Sequence, residues 1–315
     1  SASLTYSDPD GDVGNVTFQW FVNSSNVFNQ TIRNVANGAS AMSNFSSGFF
    51  GKSDRLNVSA FAKDGEAVSL TALSATITVA NTAPSLSNPS FNNTAPKTNE
   101  DILGGAAYAD ADGDKGNVTF RWYVNGTLAF TDSTAGISNG TNAARVLLSN
   151  LFSKSDRINF TASASDGTDS GALLASAIIN AANTAPSASS LLISPASPTS
   201  EDNLTISYSY FDIDGDAERN SEIIWAKNGI VQAALSNKTS VNTSLTAKGE
   251  KWAFSVRPFD GADFGTMQQS ANTTILNAVP LVSQISFNNT IPKTNDELSA
   301  SLTYSDPDGD VGNVT

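Results

Sequence analysis

Three loops of the chain carry the pattern Asp-x-Asp-Gly-Asp: Asp8, Asp10 and Asp12, then Asp110, Asp112 and Asp114, then Asp212, Asp214 and Asp216. A fourth loop near the end holds Asp306, Asp308 and Asp310. Carboxylates packed this closely repel one another, and a cation relieves the repulsion. Alternate carboxylates around a glycine turn match the first half of an oxygen-ligated calcium loop. An EF-hand is excluded, because the twelfth position of the loop is Gln19, Arg121 or Ile223 rather than Glu. Any calcium site therefore draws its remaining ligands from elsewhere. The plainer alternative is that Asp and Gly are good turn formers. A glycosidase would use one carboxylate pair in a cleft, with environments that push the two pKa values apart. These acids recur along the chain instead, so no catalytic role is expected.

Composition removes most other chemistry. The 315 residues contain neither cysteine nor histidine. Disulfides, thiolate nucleophiles, imidazole metal sites and Ser-His-Asp triads are all excluded. Thirty acidic against seventeen basic residues give a formal charge of −13. Such a polyanion is a poor partner for phosphate backbones, so nucleic acid is not an expected partner. No window approaches the eighteen apolar residues of a membrane span. The opening SASLTYSDPDGD has no basic start and no apolar run, so it does not read as a signal peptide.

Sequons of the form Asn-x-Ser/Thr are frequent. Asn15, Asn57, Asn117, Asn125, Asn159, Asn203, Asn242 and Asn272 are the expected glycosylation sites. Further sequons, Asn313 among them, occur in a chain this rich in Asn, Ser and Thr. In Asn117-Val118-Thr119 and Asn159-Phe160-Thr161 the acceptor and its hydroxyl share one strand face while the middle residue points inward. A polar outer strand face explains the same residues without glycans.

The chain repeats itself. Residues 6–23, YSDPDGDVGNVTFQWFVN, match residues 108–125, YADADGDKGNVTFRWYVN, at thirteen of eighteen positions. Divergent copies start at Tyr210 and Tyr304, so the spacings are 102, 102 and 94 residues. NTAPS at 81–85, NTAPS at 183–187 and NAVPL at 277–281 keep step. The organisation expected is 1–84, a domain lacking its first strand; 85–186 and 187–280, two complete domains; and 281–315, the first strands of a further domain. Residues 299–315 are identical to residues 1–17, so a block of three domains recurs after 298 residues. This predicts a window from a longer tandem array. Strand donation by segment 281–298 to another molecule is the competing reading, and the array is preferred because residues 1–17 already fill the slot that 299–315 would need.

Within a unit the apolar period is two. Val16, Phe18, Trp20 and Val22 alternate with polar residues, as do Val118, Phe120, Trp122 and Val124. A second strand of this kind follows each KSDR turn: Leu56, Val58, Ala60 and Ala62, then Ile158, Phe160, Ala162 and Ala164. Short strands separated by Asn-Gly and Asp-Gly turns predict an all-β chain of tandem antiparallel sandwiches of about 95–100 residues each. The pattern Tyr-x-Asp-x-Asp-Gly-Asp, then Trp (Trp20, Trp122, Trp225), then Asp-Gly, then Asn-x-x-Pro resembles the immunoglobulin-like, PKD-like or cadherin-like tandem repeats of prokaryotic cell-surface proteins. Trp252 is expected to be an extra core aromatic.

That resemblance implies that the loop carrying the three aspartates and the loop carrying Asp64, Asp166 or Asp260 lie at the same end of each sandwich. Calcium held by these acids would then stiffen the joint with the preceding domain. The pairs Glu100-Asp101, Glu201-Asp202 and Asp296-Glu297 are expected at the opposite end, facing the next domain. The function expected is structural: part of an extracellular fibre, filament or surface stalk whose partners are copies of itself. An adhesin rod that contacts cell-surface glycans or other cells through a tip outside this window is one alternative. An accessory module of a large secreted enzyme is the other.

Overall fold

The computed structural model describes residues 1–312; the sequon at Asn313 lies outside them. Alternating side chains build every main sheet. In the first repeat these are β1 (Ala2–Thr5), β2 (Gly14–Val22), β3 (Ser25–Val35), β4 (Ser40–Ser43), β5 (Arg55–Lys63), β6 (Ala72–Leu73) and β7 (Ile77–Thr78). The second contains β8 (Ser85–Phe91), β9 (Ile102–Ala109), β10 (Gly116–Val124), β11 (Thr127–Ile137), β12 (Asn142–Leu147), β13 (Arg157–Ser165), β14 (Leu174–Ala175) and β15 (Ile179–Asn180). The third contains β16 (Ser187–Ser194), β17 (Leu204–Phe211), β18 (Glu222–Lys227), β19 (Ile230–Val231), β20 (Ser240–Val241), β21 (Lys251–Arg257), β22 (Gln268–Gln269) and β23 (Thr273–Thr274). A last ribbon joins β24 (Leu281–Phe287) to β25 (Ala300–Ser305).

The same two sheets recur. One runs β12-β9-β8 in the second repeat and β16-β17-β20 in the third. The other runs β11-β10-β13-β14, echoed by β3-β2-β5-β6 and β19-β18-β21-β22. All named strand pairs are antiparallel, and the chain is a tandem series of immunoglobulin-like β-sandwiches. Short 3-10 turns such as Ser47–Phe49 interrupt the strands.

Burial follows the period of two. Val118, Phe120 and Trp122 of β10 are sealed, as are Ile158, Phe160 and Ala162 of β13. Register sets Trp122 opposite Phe160 and Trp20 opposite Val58. In the third repeat Trp252 is buried edge-on against Trp225, a core aromatic. Phe254 is buried on the same strand.

By contact the chain divides into two compact units. The first comprises Ser1–Thr94, Ile102–Leu147 and Arg157–Ile179. The second comprises Ala95–Asp101, Leu148–Asp156 and the chain from Asn180 onward. Two loops of the second repeat thus group with the third. No helix among the described residues is long and apolar enough to cross a membrane.

Candidate metal centre

Each triple-Asp loop joins the second strand of one sheet to the first long strand of the other, β9 to β10 or β17 to β18. The turn builds itself from its first aspartate. Asp110 Oδ1 accepts the N–H groups of Asp112 at 2.8 Å and Asp114 at 3.1 Å. Gly113 follows with φ of +82°, a conformation that glycine adopts without a Cβ penalty. The Tyr108 ring then lies over Gly116, where a Cβ would meet it at 2.4 Å. That contact explains the glycine after the third aspartate in this repeat.

The loop between β13 and β14 brings Asp166 to the same place. Asp110, Asp114 and Asp166 each offer an oxygen, and the three oxygens lie within 4.8 Å of one another. Asp212, Asp216 and Asp260 form the same group in the third repeat. Asp306, Asp308 and Asp310 form one without a partner loop. Asp8, Asp10, Asp12 and Asp64 make no such group among the described residues.

Two atoms in the centre lack a hydrogen-bond partner. Asp110 is almost completely buried, yet its Oδ2 is unsatisfied, and so is Oδ1 of Asn81 beside it. The pair recurs as Asp212 Oδ2 and Asn183 Oδ1. A buried acceptor without a donor is costly and points to a missing cation or water.

Asp112 and Asp214 do something else. Asp112 Oδ2 accepts the backbone N–H of Thr82 at 2.6 Å, and Asp214 Oδ2 that of Thr184 at 2.7 Å. The middle aspartate therefore clamps the linker that enters the repeat. Ala278 N–H reaches Asp308 Oδ2 at 2.6 Å in the same way. Asp214 also accepts from the Thr98 hydroxyl.

Sequence reasoning missed two partners. Lys52 donates to Asp114 at 2.6 Å, Lys154 to Asp216 at 2.5 Å and Lys248 to Asp310 at 2.7 Å. Each lysine lies 62 residues before its aspartate, an offset visible in the sequence (114 − 52, 216 − 154, 310 − 248). The carboxylates do not face one another unrelieved, because the preceding repeat supplies an ammonium. The second partner is the linker asparagine. Asn81 Nδ2 donates to Asp166 and Asp169 at 2.8 Å each, and Asn183 Nδ2 to Asp260 and Asp263 at 2.8 and 2.9 Å.

These bonds set the titration. The Asn81 amide, then the N–H groups of Asp169 and Thr168, hold the Asp166 carboxyl down at about 2. Burial raises the Asp260 carboxyl, but the Asn183 amide and the N–H groups of Asp263 and Ala262 still leave it below its ordinary value. The bond to Asp216 raises the Lys154 ammonium, against burial that lowers it.

The loop that carries Glu100 and Asp101 groups with the third repeat, and within it the acids also serve the fold of their own loops. Asp101 accepts the N–H of Ser149, and Glu100 that of Lys97. Asp202 accepts from both the N–H and the hydroxyl of Thr199. Glu100 and Asp202 close turns, Asp101 ties two loops together, and Thr98 of the same loop reaches Asp214. Asp296 likewise accepts from Asn289 and Lys293.

Close packing completes the joint. A Cβ on Gly171 would lie 2.0 Å from the Pro84 carbonyl oxygen, and one on Gly265 2.0 Å from that of Pro186. The linker backbone lies directly on these glycines.

The sequon asparagines are spread over strands and turns. Asn117, Asn125, Asn203, Asn242 and Asn272 are exposed, while Asn15, Asn57 and Asn159 are half-buried.

No protein-family model matches the chain, and no curated protein matches it. Among solved structures it is similar to the FN1-FN3 domains of chicken CNTN1, at 11% identity over 87% of this chain and 93% of that one, with a TM-score of 0.28. The fold assignment rests on the sheets of the chain itself.

Proposed function

We propose that the chain is a structural, non-catalytic component of an extracellular fibre, filament or surface stalk, glycosylated on its outer faces and stiffened by calcium at its joints. The observation that carries this reading is the recurrence of one polar contact set at successive joints. A lysine reaches forward 62 residues and a linker N–H 30 residues, three times over. A feature that each joint repeats serves linkage, whereas an active site needs to occur once.

Oxygen donors without histidine or cysteine favour a hard cation. Calcium binds at roughly 2.3–2.6 Å, so oxygens on opposite sides of one ion stand about 5 Å apart. The oxygens of Asp110, Asp114 and Asp166, all within 4.8 Å of one another, fall inside that span, and the unsatisfied oxygens of Asp110 and Asn81 supply acceptors. Calcium would supply charge neutralisation and a bridge from the linker asparagine to the two acidic loops.

The experiment is a thermal melt with calcium and with chelator, alongside electron microscopy of native particles. Calcium at 100 times its Kd should stabilise by about 2.7 kcal/mol. Asp110→Asn with Asp212→Asn should abolish that gain. Beaded filaments with a three-domain superperiod are expected in the images. Melts indifferent to calcium defeat the metal site, and compact globular particles defeat the fibre.

A further inference from the structure

The centres at Asp110 and at Asp212 share their acids and differ in one hydroxyl. Tyr108 of the second repeat donates its hydroxyl to the Asp114 carbonyl at 3.1 Å. Tyr210, the matching residue of the third repeat, buries its hydroxyl without a partner. The chain explains the difference. Trp122 follows Asp114 by eight positions (122 − 114), whereas Trp225 follows Asp216 by nine (225 − 216). Counted back six positions from each tryptophan, Gly14 and Gly116 lie under a tyrosine ring, but the third repeat has Arg219 there. Arg219 turns to the loop that carries Asp260. Its N–H donates to the Phe259 carbonyl at 2.8 Å, and a Cβ on Gly261 would stand 2.8 Å from its Cδ. Glu218 of the same loop is taken by the hydroxyls of Tyr208 at 2.7 Å and Ser221 at 2.5 Å. The longer loop therefore leaves Tyr210 with no carbonyl or carboxylate of its own.

The atoms without partners now differ in kind. At the Asp110 centre they are two acceptors, Asp110 Oδ2 and Asn81 Oδ1. At the Asp212 centre they are the same two acceptors, Asp212 Oδ2 and Asn183 Oδ1, and one donor, the Tyr210 hydroxyl. Burial, then the charges of Asp212, Asp260, Glu218 and Asp216, push that hydroxyl up to about 12, as expected of a group that faces these carboxylates. A centre of acceptors alone suits a cation, which needs lone pairs on every side. Two acceptors and a donor suit water. One molecule donates to both oxygens and accepts from the tyrosine, and three bonds are usual for a buried water.

We propose that the two centres are unequal: the Asp110 centre takes calcium first, and the Asp212 centre holds a water molecule, fixed by the Tyr210 hydroxyl, that calcium must displace. Displacement would leave the tyrosine hydrogen facing a cation. The second repeat avoids that penalty, because Tyr108 has already given its hydrogen to the Asp114 carbonyl. The joint entering the second repeat then stiffens at lower calcium than the joint entering the third. One chain thus gives a graded response.

This inference rests on the calcium reading of the proposed function and sets the order in which the two centres fill. The test follows the amide resonances of Thr82 and Thr184 in the full chain during a calcium titration. Each is the residue after a centre's asparagine, and each N–H is clamped by that centre's middle aspartate. Thr82 should respond with a midpoint at least about tenfold below that of Thr184. Tyr210→Phe removes a hydroxyl that no protein group uses, and should bring the Thr184 midpoint to within about threefold of Thr82. A purely structural role for the hydroxyl predicts the opposite, weaker binding in the variant. Tyr108→Phe should leave the order of the two midpoints unchanged. Equal midpoints in the parent, or a Thr184 midpoint that Tyr210→Phe leaves alone or raises, overturn the inequality and keep calcium at the joints. No response to calcium at either amide overturns the calcium reading and this inference together.

Discussion

Asp110 divides its two oxygens between two tasks that the sequence presents as rivals. Oδ1 closes the turn by accepting two backbone N–H groups, and Oδ2 is left buried without a donor. Turn former and candidate ligand are the same residue. Asn117 shows a similar division on the outer face. Its Oδ1 accepts the Gly136 N–H at 3.1 Å, and the residue is exposed, so the bond does not use the amide nitrogen that takes a glycan. Glycopeptide mass spectrometry of native protein should find Asn117 occupied, with the exposed Asn203 and Asn242. Bare asparagine at all three would return these residues to the role of a polar surface. The aspartates were legible because five consecutive residues contain all three. Lys52 and Asn81 were not, because each acts 62 and 85 residues away and sits in a segment that reads as a turn or a linker. The 62-residue offset was present in the sequence and needed the loops to be brought together before it carried meaning.

Strand alternation carried most of the fold, since a period of two fixes which side chains enter the core. It could not show what an edge strand contributes. In the second repeat β8 adds no sealed residue, yet Phe91 covers Trp122 and Phe160. Gly104 permits this packing, because a Cβ there would stand 2.6 Å from the Trp122 ring. Phe91→Ala should therefore weaken the second sandwich by roughly 2 kcal/mol, below the range for fully buried phenylalanine because this ring is half-exposed. Hydrogen exchange in β10 and β13 is the suitable readout, as it reports on the second sandwich separately from its neighbours. Protection there should fall roughly thirtyfold, with the third repeat unchanged. Unchanged protection would mean that β8 covers the core without stabilising it.

Across the whole molecule a net charge of −13 has to coexist with joints built from carboxylates. The lysines make that possible without any ion, since each places an ammonium against the third aspartate of the next loop. Partly exposed pairs of this kind contribute little individually, about 0–1 kcal/mol, and are screened by salt. They are better suited to orienting a joint than to holding it. Calcium at the same carboxylates would meet the lysine as a like charge a few ångströms away, and the two would compete for Asp114 or Asp216. Replacing Lys52 and Lys154 with methionine keeps the length of the aliphatic stem and removes the charge. In chelator the double variant should lose joint order, seen as faster exchange at the Thr82 and Thr184 N–H groups that Asp112 and Asp214 clamp. In calcium the order should return, and calorimetric titration should show calcium binding at least about tenfold more tightly than in the parent, because a nearby positive charge has gone. An unchanged calcium affinity would place the ion away from the lysines. A joint that stays ordered in chelator would show that the linker N–H clamps and the packing of Pro84 on Gly171 hold it without the ammonium.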